Sequence, residues 1–285
     1  MTPVFQCGAH RLPLDRPYVM AIINTTTDSF SGDGMAGHLD QALSRARRAI
    51  AEGADILDIG GESTRPGAES VAEAEELRRV VPLVEALSDL GVPISVDTSK
   101  TGVMREALRA GASLINDINA LLAPGAEALV AESDCGLCVM HMQGVPRSMQ
   151  HAPAYQDVVA EVTSFLDERC AALNARGVDN ARICIDPGFG FGKMLEHNLA
   201  LFEAIGTFAE RAPVLVGVSR KAMIGALTGL DVAHRSTPSA VAALAAALRG
   251  AAILRVHDVA ETVSALRIWQ SLGDTKRLLA AANKQ

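Results

Sequence analysis

The chain alternates between short apolar runs and longer segments whose apolar residues recur with helical spacing. Eight runs have the length and composition of buried strands, at 18–24, 54–60, 92–97, 113–118, 136–141, 182–186, 213–218 and 251–257. Helical segments follow them, at 39–52, 77–87, 101–110, 124–133, 156–176, 196–209, 221–248 and 260–272, and 221–248 is predicted to hold one or two helices. Because strands alternate with helices, we expect parallel pairing and right-handed crossovers. Eight such units predict a closed (β/α)8 TIM barrel, with an open doubly wound sheet as the alternative.

The length of 285 residues fits a single barrel domain. We expect residues 1–17 to be a short lead-in that caps the underside of the barrel. The barrel itself is predicted over 18–272, followed by a C-terminal tail at 273–285.

Nearly every predicted strand ends in a polar residue suited to catalysis. In a barrel of this kind, the catalytic groups lie where the strands give way to the following loops. The pattern therefore predicts an active site at the C-terminal mouth. The polar ends are Asn24, Asp58, Asp97, Asn116 with Asp117, His141, Asp186, Ser219, and Arg255 with His257.

The two-residue period of a strand sorts these side chains by face. In the last strand Ile253, Arg255 and His257 share one face, opposite Leu254 and Val256. We expect the apolar face to meet the helices and the polar face to converge at the barrel mouth. The same period places Asn24, Asp97, Asn116, Met140, Asp186, Gly217 and Ser219 inward, and it gives His141 and Asp117 structural roles outside this set.

Composition and charge argue against two classes of partner, nucleic acid and the membrane interior. The net charge of −7 provides no basic footprint for nucleic acid, and no apolar run reaches the ~18 residues of a membrane span. The five cysteines are an odd number, and Cys135 and Cys138 lie on opposite faces of one predicted strand. We therefore expect buried, reduced thiols, no disulfide framework and a cytoplasmic location.

The predicted mouth contains two groups of side chains with different binding chemistry. The acceptors Asp97, Asn116 and Asp186 suit the donor edge of a flat, nitrogen-rich heterocycle, beside apolar Met140, Ile118 and Phe191. The second group is cationic and suits a phosphate or diphosphate: Arg65, Lys221, Arg255 and His257, with Asn24 as an oxygen ligand for a divalent metal such as Mg2+.

Each of these signals has an alternative interpretation. An inward acid at a strand end is also compatible with a structural ion pair. Lys221, shortly after a strand, matches the position of a Schiff-base lysine in barrel aldolases. The glycines at 188–192 suggest a nucleotide loop, although they lack GxGxxG spacing.

Eight motifs, spanning the chain in order, closely resemble the pterin-binding barrel family and, within it, the dihydropteroate synthases. In the first of them, Thr25 and Thr27 replace the usual Val and Pro of the family. Losing the proline should make this loop more mobile. The motifs are NTTTDSFS (24–31), DIGGESTRPG (58–67), SVDTSK (95–100), NDI (116–118), MHMQG (140–144), DPGFGFGK (186–193), GVSRK (217–221) and RVH (255–257).

The resemblance implies condensation of 6-hydroxymethyl-7,8-dihydropterin diphosphate with 4-aminobenzoate, giving 7,8-dihydropteroate and diphosphate by a dissociative displacement in folate biosynthesis. It also implies Mg2+ at Asn24, competition by sulfonamides and a homodimer. Carried over by motif, the catalytic set is Asp28, Arg65, Asp97, Asp186 and Lys221; the pterin set is Asp97, Asn116, Ile118, Met140, Asp186, Gly217 and Lys221; the diphosphate set is Asn24, Arg65, Arg255 and His257; and the aminobenzoate set is Phe30, Thr64, Pro66, Phe191 and Ser219.

Two other functions stay open from the residues. A methyltetrahydrofolate-binding methyltransferase barrel would share the pterin acids but would not need the cations at Arg65, Lys221, Arg255 and His257. A non-catalytic pterin-binding paralogue is suggested only by the altered first loop, at Thr27.

Overall fold

The computed structural model describes residues 2–25, 35–63 and 67–273 of the chain. Within these ranges, eight parallel strands form one sheet, and an isolated parallel bridge between Ile185 and Val214 joins its two ends. The sheet is therefore a barrel, as predicted, and the open doubly wound alternative is wrong. The barrel strands are β3 (Tyr18–Asn24), β4 (Ile56–Gly60), β5 (Ile94–Asp97), β6 (Leu114–Asp117), β7 (Gly136–Met140), β8 (Ile183–Asp186), β9 (Leu215–Val216) and β10 (Ile253–Val256).

Every observed strand lies inside its predicted run, and most are shorter by a residue or two. Burial extends past the hydrogen-bonded ladder at the strand ends, so an apolar run overestimates the strand. The difference is largest at β9, where only Leu215 and Val216 pair with β10.

The helices also follow the prediction, with one further subdivision. The segment predicted as one helix at 196–209 is two helices that meet at Ala204, and 221–248 holds two helices separated by a 3-10 turn at Val232–His234. Gly229 ends the first of this second pair in the left-handed conformation, with φ of 72°. The helices are α1 (Met35–Glu52), α2 (Glu73–Leu87), α3 (Thr101–Arg109), α4 (Ala126–Ala131), α5 (Val158–Ala175), α6 (Leu195–Glu203), α7 (Ile205–Ala209), α8 (Ala222–Thr228), α9 (Ser236–Leu248) and α10 (Val259–Gly273).

Alternate residues of the barrel strands divide between two apolar clusters, except on β5, where the inward residues Ser95 and Asp97 are polar. This division confirms the predicted faces. Outward residues pack with the helices, as Leu254 and Val256 do on β10. Inward residues fill the lower barrel, where Ile253 contributes. Cys135 lies in the outer cluster and Cys138 in the inner one, and all five cysteines are free thiols. The other barrel-facing members of the inner cluster are Met20, Ile56, Leu114, Cys184 and Leu215.

The N-terminal lead-in is an antiparallel hairpin of β1 (Val4–Cys7) and β2 (His10–Pro13). Phe5 and Cys7 are fully buried in the inner cluster. The hairpin therefore closes the underside of the barrel, as predicted. In the described part of the chain, no helix combines the length and the apolar character needed to cross a membrane.

Candidate active site

Arg255, at the end of β10, joins the carboxylates of two other strands inside the barrel mouth. Its Nε donates to Oδ2 of Asp58 at 2.6 Å, and its Nη2 donates to Oδ2 of Asp97 at 2.6 Å. Two acids and one guanidinium fix one another here, and the third guanidinium nitrogen, Nη1, takes no part in these bonds. The inward direction predicted for Arg255 and Asp97 is confirmed.

Asp58 is the site residue that sequence reasoning missed, since it was noted only as a polar strand end without a role. It is completely buried. Its Oδ1 accepts from Oγ of Ser95 at 2.5 Å, and both carboxylate oxygens receive long contacts of 3.4 Å from Nδ2 of Asn116. Strand alternation could have identified it, because Asp58 shares the inward face of β4 with Ile56 and Gly60.

The second oxygen of Asp97, Oδ1, is buried and has no hydrogen-bond partner among the described residues. Burial raises the pKa of Asp97 to about 7; Arg255 opposes this rise, and Asp58 adds to it. A buried acceptor without a partner is costly, so it marks a place where a ligand donor belongs.

Asp186, at the end of β8, and Lys221, directly before α8, form a second polar group of the mouth. Oδ1 of Asp186 accepts from the backbone N–H of Gly188 at 2.7 Å, and burial raises its pKa against the attraction of Lys221. Nζ of Lys221 donates to the carbonyl of Phe189 at 2.6 Å. Burial lowers the pKa of Lys221 to about 8, and Asp186 opposes this fall.

An apolar wall stands beside these polar groups. Met140, Met149 and Phe191 form a buried cluster of their own, with Ile118 and Met142 packed against it. Nζ of Lys221 lies 4.8 Å from the centre of the Phe191 ring, within the range of a cation–π contact. The prediction that Met140 and Ile118 lie together with Phe191 is confirmed.

Ser219 and His257 meet between β9 and β10. Oγ of Ser219 lies 3.1 Å from Nδ1 of His257 and accepts its backbone N–H at 3.2 Å. Gly217 lies against Arg255, because a Cβ on that glycine would be 3.7 Å from the arginine Cβ. The β9 and β10 ends therefore form one continuous part of the mouth.

Asn24 ends β3 beside Gly60 and Asp97. A Cβ on Gly60 would lie 3.7 Å from Oδ1 of Asn24 and 3.8 Å from the Asp97 Cβ. Among the described residues, no group of three His, Cys, Asp or Glu side chains has the geometry of a metal cage. A single amide oxygen at this edge fits a magnesium ion that takes its other ligands from phosphate and water.

Two strand-end residues have structural roles, as predicted. Asp117 accepts the backbone N–H groups of Asn119 and Leu121 at 2.7 and 2.8 Å, and it thereby braces the turn after β6. His141 is buried, and its Nδ1 lies 3.0 Å from Nζ of Lys193. Sequence reasoning gave Lys193 no role, because nothing local indicates where its long side chain ends.

Five predicted site residues lie outside the described ranges: Asp28, Phe30, Thr64, Arg65 and Pro66. Thr27 lies outside them as well. Thr25 is described, and its hydroxyl donates to the carbonyl of Gly60 at 3.1 Å. The replacement at this position therefore ties the end of β3 to β4, a bond that the valine usual in the family has no hydroxyl to make.

Comparisons with known proteins agree with this geometry. The family model described as "Pterin binding enzyme" matches residues 20–257. The dihydropteroate synthase of Neisseria meningitidis serogroup C is 49% identical over 276 residues, which are 95% of this chain and 98% of that protein. The structure of Xanthomonas albilineans dihydropteroate synthase with 4-aminobenzoic acid has a TM-score of 0.90 and 48% identity, covering 96% of this chain and 99% of that one.

The structure of Burkholderia cenocepacia dihydropteroate synthase complexed with 7,8-dihydropteroate has a TM-score of 0.87 and 49% identity, and it covers 100% of both chains. The similarity therefore includes the whole barrel and every strand end that builds the mouth. This chain belongs to the pterin binding enzyme family and, within it, to the dihydropteroate synthases.

Proposed function

We propose that this chain condenses 6-hydroxymethyl-7,8-dihydropterin diphosphate with 4-aminobenzoate, releasing diphosphate and forming 7,8-dihydropteroate. The bond between the pterin methylene carbon and the diphosphate oxygen breaks, and a bond from that carbon to the aromatic amine nitrogen replaces it. The amine loses one proton to solvent. The observation that carries the proposal is Oδ1 of Asp97, which is buried without a hydrogen-bond partner in the described part of the chain and lies next to Asn116 across β5 and β6.

The pterin side of the mouth provides complementary acceptors and a flat apolar surface. Asp97 and Asp186 accept the paired N–H groups of the heterocycle, and the Asn116 amide reads a neighbouring edge. The ring packs on Met140 and Ile118, and Gly217 and Lys221 complete the site. Binding of N–H donors compensates the desolvation of the carboxylates that raises both acid pKa values.

The diphosphate side depends on cations and one metal ion. Arg255, through Nη1, and His257 bind phosphate oxygens, together with Arg65 from the second loop. Asn24 would hold Mg2+ through its amide oxygen, and a bound ion would supply positive charge beside the leaving diphosphate. Because phosphate binds Nη1, the Arg255 bonds to Asp58 and Asp97 through Nε and Nη2 stay intact.

The barrel mouth favours a dissociative displacement. The methylene carbon that remains when diphosphate leaves is cationic and conjugated with the pterin ring. Asp97 and Asp186 stabilise that positive charge from fixed positions, so no protein nucleophile is required. Asp28 and Arg65, carried over by motif, complete the catalytic set, and exclusion of water from the site favours attack by the weak amine.

The aminobenzoate side uses the wall of Phe191 and the polar start of α8. Phe191 packs on the aromatic ring, and Phe30, Thr64 and Pro66 are assigned to the same substrate by motif alone. Ser219 and the backbone at the start of α8 bind the carboxylate. Sulfonamides, which mimic aminobenzoate in shape and charge, then compete for this position.

The proposed enzyme works as a cytoplasmic homodimer. Helices α9 and α10 pack on each other, and they expose Val241, Leu248, Ile268 and Leu272 with exposed fractions of 57–67%. Apolar side chains this exposed on two adjacent helices favour a self-complementary interface between two copies. The free thiols accord with a reducing compartment.

The test is diphosphate release by purified protein supplied with the pterin diphosphate, 4-aminobenzoate and Mg2+. We expect release to require all three components and dihydropteroate to form in equal amount. Tight pterin binding without release would instead support the non-catalytic paralogue, and Thr25→Val with Thr27→Pro would then be the first reversion to assay. Methyl transfer from methyltetrahydrofolate would support the methyltransferase alternative.

A further inference from the structure

Lys193 is a buried lysine that the proposed chemistry does not use. It follows the glycine-rich loop at 187–192, and only 3% of the residue is exposed. Its Nζ has three acceptors within reach: Nδ1 of His141 at 3.0 Å, the carbonyl of His141 at 3.3 Å and the carbonyl of Phe191 at 3.0 Å. The three donors of an ammonium group therefore match three neutral acceptors.

This arrangement is an expensive way to stabilise a loop. Burial lowers the pKa of Lys193 to about 7; Asp186 opposes the fall, and Lys221 adds to it. Burial also lowers the pKa of its partner His141 to about 3, which keeps that ring neutral as an acceptor. A well-packed apolar side chain at such a position is often as stable as a buried charge or more so. A lysine whose Nζ meets three acceptors at such a position points to a requirement for geometry.

The bonds of Lys193 connect the two parts of the apolar wall. His141 directly follows Met140 at the end of β7, and Phe191 lies in the loop after β8. Lys221 holds the same loop from the other side, through the carbonyl of Phe189 and the ring of Phe191. Lys193 and Lys221 thus both bind the loop at 187–192. Lys193 binds it from the interior of the protein, and Lys221 binds it from the mouth.

Further contacts show how tightly the loop lies on β7. A Cβ on Gly188, where φ is +73°, would come within 1.8 Å of the His141 carbonyl oxygen. The Tyr155 hydroxyl donates to the Gly192 carbonyl at 2.8 Å, and Oδ1 of Asn198 accepts from the N–H of Gly190 at 2.7 Å. Only the Phe191 side chain of this loop belongs to the wall cluster.

We propose that Lys193 is a positioning residue that sets the place of Phe191 against the incoming aromatic amine substrate. It does so by binding the Phe191 carbonyl and the His141 end of β7 together, without touching the substrate. The inference rests on the proposed function, because it assigns Phe191 to the aminobenzoate side. A specific consequence is that loss of Lys193 should weaken binding of 4-aminobenzoate more than binding of the pterin.

The experiment is a double-mutant cycle with Lys193→Met and Phe191→Ala, read as KM for 4-aminobenzoate and as Kd for the pterin diphosphate. We expect Lys193→Met to raise KM about tenfold, less than the roughly 100-fold cost of an ångström-sized misplacement, because the bonds from Tyr155 and Asn198 still hold the loop. The pterin Kd should change less than threefold. In the Phe191→Ala background, Lys193→Met should add less than threefold to KM. Both changes act through the contact between the Phe191 ring and the substrate, and that ring is already absent there.

A stability control separates positioning from general loosening. Leu166→Ala removes a buried side chain from α5 and should lower Tm without the selective rise in KM. Lys193→Gln, which keeps two donors on a shorter side chain, replaces the Met variant if that variant does not fold. Three outcomes would overturn the proposal. The KM effects of Lys193→Met and Phe191→Ala could multiply independently in the double variant. Lys193→Met could also leave KM unchanged, or it could affect the binding of both substrates equally. Absence of turnover by the wild-type protein would instead reject the proposed function.

Discussion

Nη2 of Arg255 donates to Oδ2 of Asp97 at 2.6 Å, and the other oxygen of that carboxylate is buried without a partner among the described residues. The arginine thus orients the acid and leaves one oxygen for the ligand. Because Arg255 also binds Asp58, a change at any of these three residues should alter the other two.

The pH dependence of pterin binding tests the state of Asp97. Only the ionised carboxylate accepts N–H groups with both oxygens, and the pKa of Asp97 is raised to about 7 by burial. Protonation of the free protein then competes with binding, so affinity should fall as pH decreases below 7, by up to about tenfold per unit. Calorimetric titration with the pterin from pH 5.5 to 8.5 measures this.

Asp97→Asn is the matched variant, since it keeps the shape and removes the titrating group. Its binding should be weak and lose the slope that the wild-type protein shows near pH 7. A wild-type Kd that stays constant across this range would show that Asp97 does not control recognition.

Removing the charge of Asp58 should destabilise the fold strongly although this residue touches no proposed substrate. Asp58→Asn leaves Arg255 with one carboxylate in a buried setting, and we expect a loss of about 3–5 kcal/mol in the free energy of unfolding. Urea denaturation measures it. Since Asp58 raises the pKa of Asp97, the pH midpoint of pterin binding should also move down.

The control is Asp167→Asn at the exposed pair with Arg211, whose N–O distance is 3.2 Å. Both side chains are substantially exposed, at 38% and 53%, so we expect a change of at most about 1 kcal/mol. Equal losses in the two variants would contradict a central role for Asp58.

Gly188→Ala should impair catalysis through the backbone. The new Cβ would meet the His141 carbonyl oxygen at 1.8 Å, so the loop must move away from β7. We expect kcat/KM to fall by roughly 100-fold, the scale of an ångström-sized misplacement. Gly177→Ala shares a positive φ of +87° but has nothing within 4 Å of its Cβ, so activity there should stay near wild type.

The proposed dimer is tested by placing charges on the exposed apolar faces of α9 and α10. Val241 and Ile268 are 60% and 61% exposed in the single chain. Val241→Asp with Ile268→Asp should give a monomer by light scattering, because a buried interface does not tolerate unpaired charges. Leu90→Asp, in the 3-10 turn Ser88–Leu90 that follows α2, should leave the mass unchanged. A wild-type monomer would refute the interface.

The order of strands and helices followed from the sequence, because apolar periodicity and strand-end polarity are local properties. The same two-residue period correctly sent Asp97, Asp186 and Arg255 inward and Asp117 outward. It also placed Met140 in the wall and Cys135 and Cys138 on opposite faces. Backbone alternation alone fixes these directions once the strand is recognised.

Only the tertiary structure decided which inward groups bind one another. Asp58 and Arg255 are 197 residues apart, and their bond exists because the barrel pairs β10 with β3, which in turn pairs with β4. Lys193 reaches His141 from 52 positions away along the chain, through a side chain whose endpoint depends on packing. The sequence determined the barrel and the groups at its mouth, whereas closure and long flexible side chains determined their partners, because such contacts depend on distances that no local pattern encodes.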